Sequence, residues 1–441
     1  MTKTATFGWR CLAGPVSLVC AVLLAGCSAA PAAAPTAEAA PPPASAATQA
    51  GTTPGGALSN TAGESPADVA LQLEALLGQH SVLVADMMRS RIRGDDDFAQ
   101  AASAAVTRNS DDLTAVVKAM FGDQAATAFH STWTDHVTAF ANYARGLATN
   151  DTTARDDASA QLVKFETGLG DFFSAASQGR LPQAAARSTL TAHVGHLLQQ
   201  TDAYAAHDYA RAADLYRTAY SHAFAIGQGL ATTLLPPDKA AALSQPSWQL
   251  RSELDRLLGE HVALAVATLR AGATEGPDFP AEAAGLNKNT EDLTAAMGTL
   301  FGSAAGQQFM TLWADHIDAL VGYTSATAAH NDAARQAALD KLRGFEAKLA
   351  AFLGTATANR MPNPDLANAF LHHDEMLTQE VDAMGAKDYA KSNDLAYNAY
   401  QDMFGLSRQL SDAFGETVAT RLPQGGAETG AGGTAGVPGT R

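Results

Sequence analysis

The chain repeats itself at long range, and that repeat restricts the fold more than any other feature. LLGQH at 76–80 returns as LLGEH at 257–261. NSDDLTAVVKAMFG at 109–122 returns as NTEDLTAAMGTLFG at 289–302, and HDYARAADLYRTAY at 207–220 as KDYAKSNDLAYNAY at 387–400. The offset is 181 residues for the first pair and 180 for the others, so one residue was gained or lost between them. Self-similarity of this kind predicts two tandem domains, at about 66–236 and 247–422, joined by the proline-punctuated LLPPDKAAALSQPSW. Each unit, at about 170 residues, is long enough to bury a core.

Within a unit the periodicity is helical. Alanine is abundant, and neither β-branched runs nor strict alternation occurs. The pattern predicts helices near 67–92, 110–121, 123–149, 153–178, 183–205 and 209–234, repeated in the second unit. Asn109 and Asn289 read as N-caps, and Pro182 and Pro362 as residues of a first helical turn. The expected fold is all-α: two tandem up-and-down helical bundles of about six helices each.

Four helices of each unit carry one polar residue on an otherwise apolar stripe. Phe129, Trp133, His136, Phe140, Tyr143 and Leu147 follow one another at spacings of 4, 3, 4, 3 and 4, which is one helix face. The same reading puts His80, His193 and His222 on the stripes of three other helices, and His261, His316, His373 and Asp402 on those of the second unit. Of twelve histidines, six form the matched pairs His80/His261, His136/His316 and His193/His373; His222 is matched by Asp402. All eight residues lie near the middle of their helices, so packed helices would bring four to one level in each bundle.

Two readings fit such a layer. Imidazole and carboxylate are ligands for zinc, copper or iron. Alternatively, the side chains form a buried histidine–aspartate hydrogen-bond network without metal. Methionine stands opposite histidine at Met310 (His130) and Met376 (His196), and thioether beside imidazole points to copper. One copper or zinc ion per repeat is the expectation. Four protein ligands would leave no open coordination position, which argues against hydrolytic catalysis.

The ends of the chain carry separate signals. Lys3 and Arg10 flank a short apolar run ending in Leu24-Ala25-Gly26-Cys27, the arrangement of a secretory signal. L-A-G-C resembles the bacterial lipobox, which implies cleavage after residue 26 and acylation of Cys27 by chains such as palmitate. Cys11 and Cys20 would leave with the signal, so no internal disulfide is expected. Residues 27–65 are rich in Ala, Pro, Thr and Ser, and 423–441 in Gly; such compositions predict a disordered tether and a disordered tail. The expected location is the extracytoplasmic face of a bacterial cell membrane. With 29 basic against 45 acidic residues and net charge −16, the chain has no basic patch for nucleic acid.

No Glu-x-x-His pair, C-x-x-C-H, H-E-x-x-H, G-x-S-x-G or P-loop occurs, so the common metal-hydrolase, haem and nucleotide chemistries lack their residues. No catalytic residue is expected. Gln79-His80 and Glu260-His261, Trp133 to Val137 and Trp313 to Ile317, His193-Val194 and His373-Asp374, and His222-Ala223 with Asp402-Met403 carry one resemblance. The chain resembles a family of exported bacterial helical proteins often labelled copper amine oxidase-like. The resemblance implies an exported, helical, copper-linked protein. It does not imply a true copper amine oxidase, whose quinone-forming Asn-Tyr-Asp/Glu is replaced here by Asn142-Tyr143-Ala144. The expected function is metal binding, buffering or delivery; the alternative is a structural or protein-interaction module of the envelope.

Overall fold

A computed structural model of the chain describes residues 65–361 and 363–421. The signal segment, Cys27, the tether up to residue 64, Pro362 and the tail at 423–441 lie outside the described residues. What is described is all-α: twelve α-helices, one 3-10 turn and no strand. No described helix is long and apolar enough to cross a membrane.

In the first half the helices are α1 (Pro66–Arg93), α2 (Asp96–Ala148), α3 (Thr152–Ala176), α4 (Gln183–Ala205) and α5 (Tyr209–Leu234). A short α6 (Pro237–Ala240) and the 3-10 turn at Ala241–Ser244 lead to the second half. There follow α7 (Pro246–Ala273), α8 (Phe279–Phe301), α9 (Ser303–Ala328), α10 (Asp332–Ala356), α11 (Asn363–Gly385) and α12 (Tyr389–Arg421). In each half, successive helices pack on one another and the last returns to the first, so α5 lies on α1 and α12 on α7. Local chemistry sets the ends. Ser65 and Asp68 form a capping box at α1, and Asp151 and Asn331 accept from the backbone N–H of Ala154 and Ala334, each at 3.0 Å.

Three sequence expectations are corrected here. The second helix begins at Asp96 rather than near 110, capped by Asp95. Asn109 and Asn289 are therefore not caps; they lie inside α2 and α8, fully buried. Each amide reaches across to the first helix of its half, Asn109 Nδ2 to the Leu76 carbonyl and Asn289 Nδ2 to the Leu257 carbonyl, both at 3.0 Å. Pro182 stands at the N-cap of α4, one place before the first turn. The expected break after the second helix does exist. It falls at Gly122 (φ 82°) and Gly302 (φ 94°), left-handed conformations that glycine adopts without a Cβ clash.

The halves share one apolar core cluster and belong to one compact unit. Contacts between them come in exchanged pairs, as in an isologous interface. The Tyr220 and Tyr400 hydroxyls, 180 residues apart, meet at 3.1 Å. A Cβ on Gly78 would fall 2.9 Å from the Tyr400 hydroxyl, and one on Gly259 2.5 Å from that of Tyr220. Arg89 pairs with Glu282 at 2.8 Å, and its counterpart Arg270 with Asp86 at 3.2 Å. Tyr397 donates to Asp112, while Arg217 pairs with Asp292 at 2.7 Å. Gln79 Nε2 donates to the Tyr397 carbonyl at 3.2 Å, and the matched Glu260 accepts from Arg217 at 2.9 and 3.2 Å.

Candidate metal centres

The apolar stripes carry three histidines of each half to a common point. His80 of α1, His136 of α2 and His193 of α4 form one group; His261 of α7, His316 of α9 and His373 of α11 form the other. In each, one ligand-capable atom per residue lies within 4.8 Å of the others. All six rings are at most 4% exposed. Burial is the main reason all six have pKa values below the usual imidazole range, His373 down to about 4, so the rings are neutral at pH 7. Neutral imidazole is the form that binds metal.

Aromatic side chains wall the groups. Phe165 stacks on His136 at 4.0 Å between ring centroids, and Phe345 on His316 at 4.4 Å. Trp133 lies 4.6 Å from His80 and Trp313 4.8 Å from His261. Asn109 and Asn289 support the floor. The carbonyls they bind, of Leu76 and Leu257, are those that accept the helical N–H of His80 and His261 four residues on. The asparagine thus ties the turn that bears the first histidine to the neighbouring helix.

Hydrogen bonding fixes one tautomer. His136 Nδ1 faces the Trp133 carbonyl, which can only accept, so Nδ1 carries the proton and Nε2 is bare. His80 Nε2 approaches that bare nitrogen at 3.1 Å. Elsewhere the rings lack partners. Both nitrogens of His193, His261 and His373, and Nδ1 of His80 and His316, are buried with no hydrogen bond. A neutral imidazole always has one N–H, so three of these rings each leave a buried donor unsatisfied, a cost of roughly 1–3 kcal/mol apiece.

Two predicted ligands are not brought to the groups. His222 is only half-buried; its Nε2 donates to the Thr189 carbonyl at 3.2 Å, and its ring sits 4.9 Å from that of His196. Asp402 is exposed. The reason is the orientation of α5 and α12. Their most buried faces run through Tyr216, Tyr220 and Ala223, and through Tyr397, Tyr400 and Met403. That face turns His222 and Asp402 to the edge. Of the methionines, Met310 is exposed and Met376 is buried outside the group.

With three ligands rather than four, coordination number no longer argues against catalysis. A cavity of about 30 Å³ beside His193 is lined almost wholly by apolar side chains. Three nitrogens on one zinc or copper ion at about 2.0–2.1 Å lie roughly 3.3–3.6 Å apart, and His80 Nε2 and His136 Nε2 stand at 3.1 Å.

The sequence reading missed Asp374. It is 2% exposed, neither carboxylate oxygen has a hydrogen bond, and Oδ1 lies 3.5 Å from His316 Nδ1. Burial, and then the nearby Glu346, push its pKa well above the usual carboxylate range. The repeat held the clue: the matching residue is Val194, and an acid on a core position of its twin is a buried acid.

No protein-family model, curated protein or solved structure matches the chain.

Proposed function

We propose that the protein binds one copper or zinc ion in each histidine group, and that it does so as a lipid-anchored protein on the extracytoplasmic face of a bacterial membrane. Its role on this reading is to bind, buffer or deliver the metal. The observation that carries metal binding is the set of buried, unpartnered imidazole nitrogens converging in each half. A bound cation engages one lone pair per ring and gives these polar groups a purpose that apolar surroundings cannot. The export signal, Cys27 and the family resemblance support the location and favour copper.

Metal content of the purified protein by mass spectrometry tests the reading. Two ions per chain are expected, and one in either His136→Ala or His316→Ala, since each substitution disables one group. Added Cu²⁺ or Zn²⁺ at a hundred times Kd should stabilise the fold by about 2.7 kcal/mol per site. No bound metal, together with an unmoved Tm, would leave the histidines as a structural polar layer. For the anchor, Cys27→Ser should release the protein from the membrane fraction.

A further inference from the structure

Each ion, bound by three rings that are at most 4% exposed, must reach them through the protein. Around the first group the described residues show a way. A surface groove of about 340 Å³ is lined by Thr189, His222, Thr233 and apolar neighbours. The inner cavity that His193 lines shares Phe173, Leu190, Ile226 and Leu230 with that groove. These four side chains border both the groove and the cavity at His193.

His222 lines the groove, and a second imidazole, His196, packs against it. His196 follows His193 by three residues on α4, so both emerge on the same side of the helix. His222 comes from α5, and the rings are 4.9 Å apart. The Thr189 carbonyl can only accept, so His222 Nε2 carries the proton and Nδ1 is left bare, ready to bind a cation. Both rings are half-buried. The second half has Met376 and Asp402 at the matching positions, the first buried and the second exposed, so it cannot form this pair.

We propose that His196 and His222 form a loading site, a two-imidazole way-station that captures a copper or zinc ion at the surface and passes it to His193 and so to the first group. Two ligands hold an ion more weakly than three, so transfer runs inward. The proposal rests on the metal reading above and adds a route to it.

The test is kinetic and uses Cu²⁺ as probe on the full chain. With Trp9 and Trp248 replaced by Phe, Trp133, close to His80, reports filling of the first group by quenching in a Trp313→Phe background; Trp313 reports the second in a Trp133→Phe background. In His196→Ala/His222→Ala, stopped-flow quenching of Trp133 should slow by about tenfold. Its final amplitude, the stoichiometry and the Trp313 rate should be unchanged. His222→Asn, which keeps an N–H donor for the Thr189 carbonyl, should show the same slowing if the alanine variant folds poorly. An unchanged rate with full binding would overturn the loading site while leaving the metal reading intact. A lost amplitude at Trp133 would also overturn it, by making His222 a permanent ligand. If the unsubstituted protein binds no Cu²⁺, the metal reading fails and the loading site falls with it.

Discussion

The two halves build the same triangle of imidazoles and treat its charge differently. Ring positions, the flanking tryptophans and the stacked phenylalanines correspond closely. In the first half His136 Nδ1–H is taken by a neutral carbonyl, that of Trp133. In the second, His316 Nδ1 faces the Asp374 carboxylate at 3.5 Å. Asp374 is not isolated. Buried Glu260, Glu282 and Glu380 stand where the first half has Gln79, Ala102 and Gln200; Asp86, opposite Ala267, is the exception in the other direction. The two halves thus share their imidazoles, while most of the buried carboxylates lie in the second. Burial favours the protonated form of Asp374, and a bound cation would favour its carboxylate. Carboxylate behind a metal-bound histidine raises ligand basicity and offsets the ion's charge, so the second group should be the tighter for a divalent ion once that proton is released.

Several substitutions would break or sharpen that contrast. The largest effect is expected at Arg270, which holds the buried Glu380 at 2.7 Å and the partly buried Asp86 at 3.2 Å. Arg270→Leu leaves two acids without their partner and should cost about 3–5 kcal/mol in urea denaturation. Arg89→Leu orphans only Glu282, Gln200 being neutral, and should cost less. Equal losses would mean that the extra carboxylate of the second half does not matter.

Asp374→Val installs the first half's residue in the second. It should weaken the second site for Zn²⁺ by about 10–100-fold, with the first site unmoved. Isothermal titration that still finds two distinct affinities of the original size would show that Asp374 is not what separates them.

A smaller effect concerns stability against pH. Burial pushes Glu74 up to about 8 and its counterpart Asp255 up to about 7. Both carboxyls hold a proton in the folded state at pH values where the unfolded chain has lost it. Their contribution to stability is therefore full below the unfolded pKa values and falls as pH rises from about 5 to about 8, by roughly 1 kcal/mol per unit for each group. The six buried histidines, lowered in pKa, act in the opposite sense up to the unfolded imidazole pKa. Glu74→Gln should flatten the slope up to the higher limit, and Asp255→Asn over a narrower window. A pH slope unchanged in both variants would contradict the assignment.

Much of the site was legible because helix periodicity is local. Spacings of three and four put His80, His136 and His193 on stripes without knowledge of any partner, and the 180-residue echo separated these from His130 and His207. Asn109 was misread because the same side chain serves at a cap or across a helix interface, and only the start of α2 at Asp96 distinguishes the two. Asp374 was visible as a mismatch with Val194, but no spacing says what a buried acid faces.

The sequence by itself determined an all-α chain with matched histidines on its apolar faces, since periodicity and burial follow from neighbours three or four residues away. Only the tertiary structure decided that three ligands meet rather than four. The helices α5 and α12 are covered by their own half and by the other one, and the tyrosines of that double contact, Tyr220 and Tyr400, set the rotation. His222 and Asp402 follow the rotation to the edge, because which face of a helix is most deeply buried depends on residues that lie far along the chain.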